Sequence, residues 1–162
     1  AYSGDLQTLI NLDVPFLLEL SLPAVAGRRY LTVHALKGGS VKISLGDDLL
    51  QEIPLEVLST LYTGRGYVLW KNYLELSSFS QLGQRHLDIA QIQNMLLQAG
   101  YYFGPVTAEY DAATIAAVTR LQGDRGVPQD GRIGPLTMML LYQQGGTFRS
   151  PRLMNADAGE KS

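Results

Sequence analysis

The sequence predicts an α+β chain: a small, mostly antiparallel β domain over residues 1–77, then a three-helix module over 87–144. Two observations carry this prediction. Apolar residues come in short strand-like runs in the first half and recur with a helical period in the second. Between the halves lies the polar stretch Ser77-Ser78-Phe79-Ser80-Gln81-Leu82-Gly83, which reads as a link. We therefore expect a linker at 78–86 and, after the helices, a polar and glycine-rich flexible tail at 145–162. A chain of 162 residues is long enough for two small domains, and its 46% hydrophobic content is that of a globular protein.

Each element has a local reason. Residues 15–20 are an apolar run with proline at the start, where a strand tolerates it. Residues 30–36 mix aromatic and β-branched side chains and form a second strand. Gly38-Gly39 makes a tight turn, after which 40–45 alternates and places Val41, Ile43 and Leu45 on one buried face. Residues 54–61 read as a helix entered at Pro54, with Leu55, Leu58 and Leu61 on one side and Gly64 and Gly66 stopping it. A last strand covers 67–70, and Trp70 is expected in the β core.

In the second half Asp88 is the expected cap of the first helix, with Gln91 completing a capping box. Ile89, Ile92 and Leu96 form its inner stripe, and Gly100 ends it. Asp111 caps the next helix, whose Ile115, Val118 and Leu121 face inward, and Gly126 follows it. Pro135 opens a third helix that runs to about Tyr142.

Composition and motif content exclude several chemistries. The net charge of -2 carries no run of one sign, so no nucleic-acid footprint is present. With no cysteine there is neither a disulfide framework nor a thiol nucleophile. The two histidines, His34 and His86, are far apart in sequence, and no G-x-S-x-G or H-E-x-x-H motif accompanies them. The acidic residues are scattered, and Asp47-Asp48 reads as a turn rather than a catalytic pair. We expect no catalytic residue, no metal and no cofactor. No apolar stretch reaches membrane-spanning length, so no membrane contact by this fragment is expected. The chain starts at Ala1 and is read as a piece of a longer protein.

The loops before the second and third helices repeat one pattern. Residues 106–114 read Val-Thr-Ala-Glu-Tyr-Asp-Ala-Ala-Thr, and 129–137 read Gln-Asp-Gly-Arg-Ile-Gly-Pro-Leu-Thr. Tyr110 aligns with Ile133 and Thr114 with Thr137, so each loop sends one large side chain inward and starts a helix. Ile92-Gln93, Leu96, Gly100-Tyr101-Tyr102, Gly104-Pro105-Val106, Leu121-Gln122, Gly126-Val127-Pro128 and the run 130–137 stand in order around these loops. Together they resemble the peptidoglycan-binding family of three-helix modules. In the first loop the family's Asp-Gly is replaced by Thr107-Ala108, and its later Gly by Asp111. Alanine does not readily adopt a positive φ, so this turn is expected to be remodelled.

The first half has its own resemblance. Residues 15–18, 27–33, 41–43 and 66–70 look like the last strands of a papain-like peptidase of the bacteriocin-processing type. It would be a degenerate one. Arg29 stands where such peptidases carry the catalytic histidine, Ser44 is nearest to the place of the acid, and cysteine is absent. The combination is similar to the periplasmic end of the general secretion pathway protein A family. That likeness implies a periplasmic domain of a single-pass inner-membrane ATPase of type II secretion.

The implied function is non-catalytic peptidoglycan binding, with the wall polymer, other secretion-apparatus proteins and a second copy of the chain as partners. Tyrosine offers a sugar a flat face and a hydroxyl, and arginine suits a carboxylate. The expected ligand-binding set is Tyr101, Tyr102, Tyr110, Arg125, Asp130 and Arg132, with at least one tyrosine of the Tyr101-Tyr102 pair spent on the core. The alternative is a protein–protein or oligomerisation module whose glycan site has eroded. A third reading, the accessory end of a wall hydrolase, lacks a catalytic set in this chain.

Overall fold

The structure, a computed structural model, describes residues 1–23, 25–46, 49–144, 146, 148, 149 and 151–153. The architecture is α+β, an antiparallel sheet in the first part and helices in the second. It divides into two compact units. One holds Ala1–Leu69 and takes back the chain at Pro151; the other is Trp70–Ser150. Residues 70–77, expected in the β domain, and 78–86, expected as a linker, fall within the helical unit. The Asp47-Asp48 turn lies outside the described residues, as does most of the expected tail.

Among the described residues the first unit is a six-stranded sheet with two short helices. In chain order these are β1 (Tyr2–Ser3), α1 (Leu6–Asn11), β2 (Phe16–Leu20), β3 (Arg29–Lys37), β4 (Ser40–Ser44), β5 (Gln51–Pro54), α2 (Leu55–Leu61) and β6 (Tyr62–Val68). The strand order is β1-β6-β2-β3-β4-β5 and the pairs are antiparallel. Register follows the apolar alternation: Phe16 faces Val33 and Leu18 faces Leu31 across β2 and β3, and all four are buried. The β3–β4 hairpin over Gly38-Gly39 is as predicted. Leu45 is not buried, because β4 stops at Ser44 and Leu45 is left 58% exposed.

Gly64 and Gly66 do not stop a helix; they lie inside β6. The reason is α1, whose first turn is capped by the Asp5 carboxylate accepting from Thr8 N at 2.7 Å. A Cβ at Gly66 would lie 2.8 Å from Leu9 Cδ1 and 3.2 Å from Leu17 O. A side chain there would press on both, so glycine lets α1 pack close to the sheet. The end of the chain is packed where it is described. Leu153 is buried, its carbonyl accepts from Leu36 N at 3.3 Å, and Arg152 meets the Asp13 carboxylate at 2.9 Å.

The helical unit contains α3 (Leu87–Gln98), α4 (Ala112–Asp124) and α5 (Pro135–Gln144) around Ile89, Ile92, Leu96, Val118, Leu121, Ile133 and Leu140. The cap of α3 is His86, whose Nδ1 accepts from Asp88 N at 3.2 Å. Asp88, expected as the cap, instead accepts from Ser77 N at 2.8 Å, and that bond holds its carboxyl below the usual range. Ile115 is only half-buried; Thr114, Ala117, Val118 and Leu121 make the inner face of α4. The expected linker laces the unit together. Phe79 exchanges both backbone hydrogen bonds with Ile133, at 2.9 and 2.8 Å. Gly83 N donates to Tyr110 O, Tyr110 N to Gln84 O, and His86 N to Ala108 O. Trp70 lies half-buried in this unit, not in the β core.

Candidate functional site

Each repeated loop is closed by one glutamine from the preceding helix. Gln122 is buried in α4, and its Oε1 accepts from Gly131 N at 2.9 Å. Its Nε2 donates to Asp130 Oδ1, Arg132 O and Thr137 Oγ1 at 2.8, 3.2 and 3.1 Å. Gln93 in α3 does the same for the first loop. Its Oε1 accepts from Thr107 N and Ala108 N at 2.9 and 3.1 Å. Its Nε2 donates to Thr107 Oγ1, Glu109 O and Thr114 Oγ1 at 3.2, 3.0 and 2.8 Å. A primary amide carries a carbonyl and two N–H donors on one short plane, so it can hold a loop's N–H and C=O groups together. The two glutamines stood in the Ile-Gln and Leu-Gln motifs, but nothing in the sequence marked them as latches.

The first turn is not remodelled. Ala108 adopts φ 58°, the left-handed region, and Gly131 at the matching place adopts φ 65°. The Gln93 latch holds the loop in the same shape despite the Cβ. Asp111 Oδ1 accepts from Thr114 N at 2.7 Å and caps α4 as expected.

The expected ligand set divides into core and surface. Tyr102 is buried and its hydroxyl donates to Pro105 O at 2.7 Å. Tyr110 is buried and its hydroxyl donates to Gly131 O, tying one loop to the other. Burial, with the Asp130 charge adding, pushes the Tyr110 hydroxyl up to about 12. Neither ring is available to a ligand, because each fills the space between helices and loops. Asp130 is exposed, but its Oδ1 is committed to Gln122 and to Arg132 N. Arg125 is half-buried and donates to Gln143 Oε1 at 3.1 Å, with its Nε buried and unpartnered among the described residues. Arg132 is exposed, and Tyr101 is half-exposed with its hydroxyl pushed up by burial and by a hydrogen bond to Asp124. Phe103, outside the expected set, is 83% exposed with Arg120 over its ring.

A second concave surface lies within the same unit. A groove of about 280 Å³ is lined by Gln91, Asn94, Met95 and Gln98 of α3 and Ala99 at its end, by Leu141 and Gln144 of α5, and by Leu74 and Phe148. The Phe148 ring is held against Tyr73, 4.8 Å between centroids, and against Tyr142, at 4.9 Å. Among the described residues no group of three His, Cys, Asp or Glu side chains could hold a metal, and no helix is long and apolar enough to cross a membrane. In the first unit His34 Nε2 meets Ser44 Oγ at 2.8 Å, and Arg29 is exposed at the start of β3.

Residues 85–141 match the model of the putative peptidoglycan binding domain family. The match covers the latches, both loops and most of α5, and it starts at Arg85, within the segment that laces the helical unit along its first loop. Over 99% of its length the chain is also similar to the crystal structure of a periplasmic domain of the EpsAB fusion protein of the Vibrio vulnificus type II secretion system. The TM-score is 0.50 and the identity 21%, with 68% of that chain covered, a likeness of fold. No curated protein matches the chain.

Proposed function

We propose that the helical unit binds peptidoglycan non-covalently and without catalysis, as part of type II secretion. The observation that carries this reading is the family match over 85–141, laid on a unit whose two loops are both latched in the same shape. The fold likeness to a periplasmic domain of a secretion protein supports a place in the periplasm. In the finer form of the proposal, the chain is the periplasmic end of a single-pass inner-membrane ATPase, and its β unit is a peptidase-like domain without catalytic residues. Wall binding then positions the secretion assembly. From the expected set, Arg132 and Tyr101 are the side chains left open to a ligand, Arg132 as a fork for a stem-peptide carboxylate. Weak single sites gain strength when several copies sit on one polymer.

The test is sedimentation with insoluble peptidoglycan sacculi. The intact chain is expected in the pellet, and a Tyr101→Ala, Arg132→Ala variant is expected to pellet less while keeping its circular dichroism. Tyr102 is unsuitable for this purpose, since removing a buried ring perturbs folding. A chain that stays in the supernatant at high concentration refutes direct wall binding.

One observation favours the alternative of an assembly module. β5 is an edge strand, and Leu49 and Leu50 just before it are 67% and 60% exposed. Analytical ultracentrifugation distinguishes the two: a concentration-dependent dimer abolished by Leu49→Lys, Leu50→Lys supports assembly through this edge.

A further inference from the structure

Gln91, Asn94 and Gln98 stand at i, i+3 and i+7 on α3 and so share one face. All three are exposed, as is Gln144 across the groove. None of the four side-chain amides has a hydrogen-bond partner among the described residues. A row of exposed amides alone is ordinary solvated helix surface. Here it is one wall of a groove whose remaining lining is Leu74, Met95, Ala99, Leu141 and Phe148. The Phe148 ring is fixed by two tyrosines, so an aromatic face is held in place rather than swept through solvent.

None of the nine lining residues is ionisable. A carboxylate or phosphate would leave water and find no counter-charge, which is costly. Four amides offer both donors and acceptors. That chemistry suits a ligand rich in hydroxyl and acetamido groups, with an apolar ring face to lie on the phenyl group. A groove of about 280 Å³ is near the lower end for small-ligand sites, and it suits one sugar unit at a time.

We infer that the α3–α5 groove is a subsite for the uncharged N-acetylated sugars of the glycan strand, separate in chemistry from the Arg132 surface. This rests on the wall-binding reading and deepens it. The strand's sugars are held by amides and Phe148, and its charged peptides are held elsewhere.

The experiment uses the whole chain, a soluble tetramer of N-acetylglucosamine as probe, and sacculi in parallel. NMR titration with the tetramer is expected to shift the side-chain amide signals of Asn94, Gln98 and Gln144 and the Phe148 ring. The Asn94→Ala, Gln98→Ala double variant should weaken tetramer binding by about tenfold, since each lost hydrogen bond is a factor of about three to ten. Alanine has the highest helix propensity, so these exposed changes leave α3 folded, as thermal melting will show. Phe148→Leu, which keeps the groove apolar but removes the aromatic face, should weaken binding as well.

If the chain pellets with sacculi but the tetramer moves no signal on α3 or α5, the groove assignment is overturned and wall binding stands. If the tetramer binds in the groove while sacculi are not pelleted, the groove stands as a site for N-acetylated sugars, and both the wall-binding reading and the groove's assignment to the wall's glycan strand fall. If neither occurs, both fall.

Discussion

Exchanging the residues at the left-handed position of the two loops should have opposite effects on stability. Ala108 sits at φ 58° and Gly131 at φ 65°. A side chain in this region costs about 1–2 kcal/mol. Ala108→Gly removes that cost, but it frees the unfolded chain by about 0.4–1 kcal/mol. The balance is a stabilisation of about 0.5–1 kcal/mol. Gly131→Ala introduces the same backbone cost and more. Its Cβ would lie 2.9 Å from Ile115 Cγ2 and 3.1 Å from Thr119 Oγ1, contacts that force α4 side chains to shift. Overpacking of this kind costs about 1–3 kcal/mol, so the net loss is about 2–4 kcal/mol. The single tryptophan, Trp70, belongs to the helical unit, so its fluorescence in a urea titration follows this unit. Ala108→Gly should raise the midpoint by a few tenths of a molar at unchanged slope, and Gly131→Ala should lower it by about 1–2 M. A lowered midpoint for Ala108→Gly, or an unmoved one for Gly131→Ala, refutes the claim that the latch holds the first loop against strain.

Gln122→Ala deletes four hydrogen bonds and leaves Gly131 N buried without an acceptor, so it should cost about 3–4 kcal/mol in the same titration. A loss below about 1 kcal/mol would show that water replaces the latch. Tyr110→Phe removes the buried bond to Gly131 O and should cost about 1 kcal/mol near neutral pH, again read from the urea midpoint. The Tyr110 hydroxyl binds its proton more tightly folded, at about 12 against an ordinary 10. Its contribution is therefore intact below pH 10 and is lost as pH rises from 10 toward 12. Alkaline unfolding followed by circular dichroism should be steep in that window, and Tyr110→Phe should flatten it. Acid acts in the opposite sense on Asp88, whose carboxyl is held low by Ser77 N: the attachment of Ser77 to α3 should loosen only as pH falls through the acidic range, and Asp88→Asn should remove that part of the pH dependence, read by exchange of the Ser77 amide.

Local signals in the sequence were enough for the elements they govern. Asp111 caps α4, Pro135 opens α5, Gly100 closes α3, and the alternation of 40–44 gives the β3–β4 hairpin, because each depends on neighbours in the chain. What stayed hidden depends on distant partners. Gly64 and Gly66 read as a helix stop, yet Gly66 is small because α1 lies over it, and α1 itself is six residues long, too short for a periodic signal. Phe79 sat in a stretch that read as polar link, and only its pairing with Ile133 makes it core. The sequence carried the family resemblance of this region but not the individual residues of a site. Neighbouring tyrosines carry no local sign of which is buried, so Tyr102 and Tyr110 stood beside Tyr101 in the expected set. Gln91, Asn94 and Gln98 were absent from it, because exposed amides on one helix acquire meaning only from the apolar wall opposite.

The latches have a consequence for how the helical unit opens. Each fastens a helix to the loop that follows it in the chain: α3 through Gln93 to the loop before α4, and α4 through Gln122 to the loop before α5. Tyr110 then joins the first loop to the second. Neither α3 nor α4 can fray inward past its glutamine without releasing the next link. Slow amide protons at Thr107, Ala108 and Gly131 should therefore exchange together, with one common free energy, although they lie in loops where exchange is ordinarily fast.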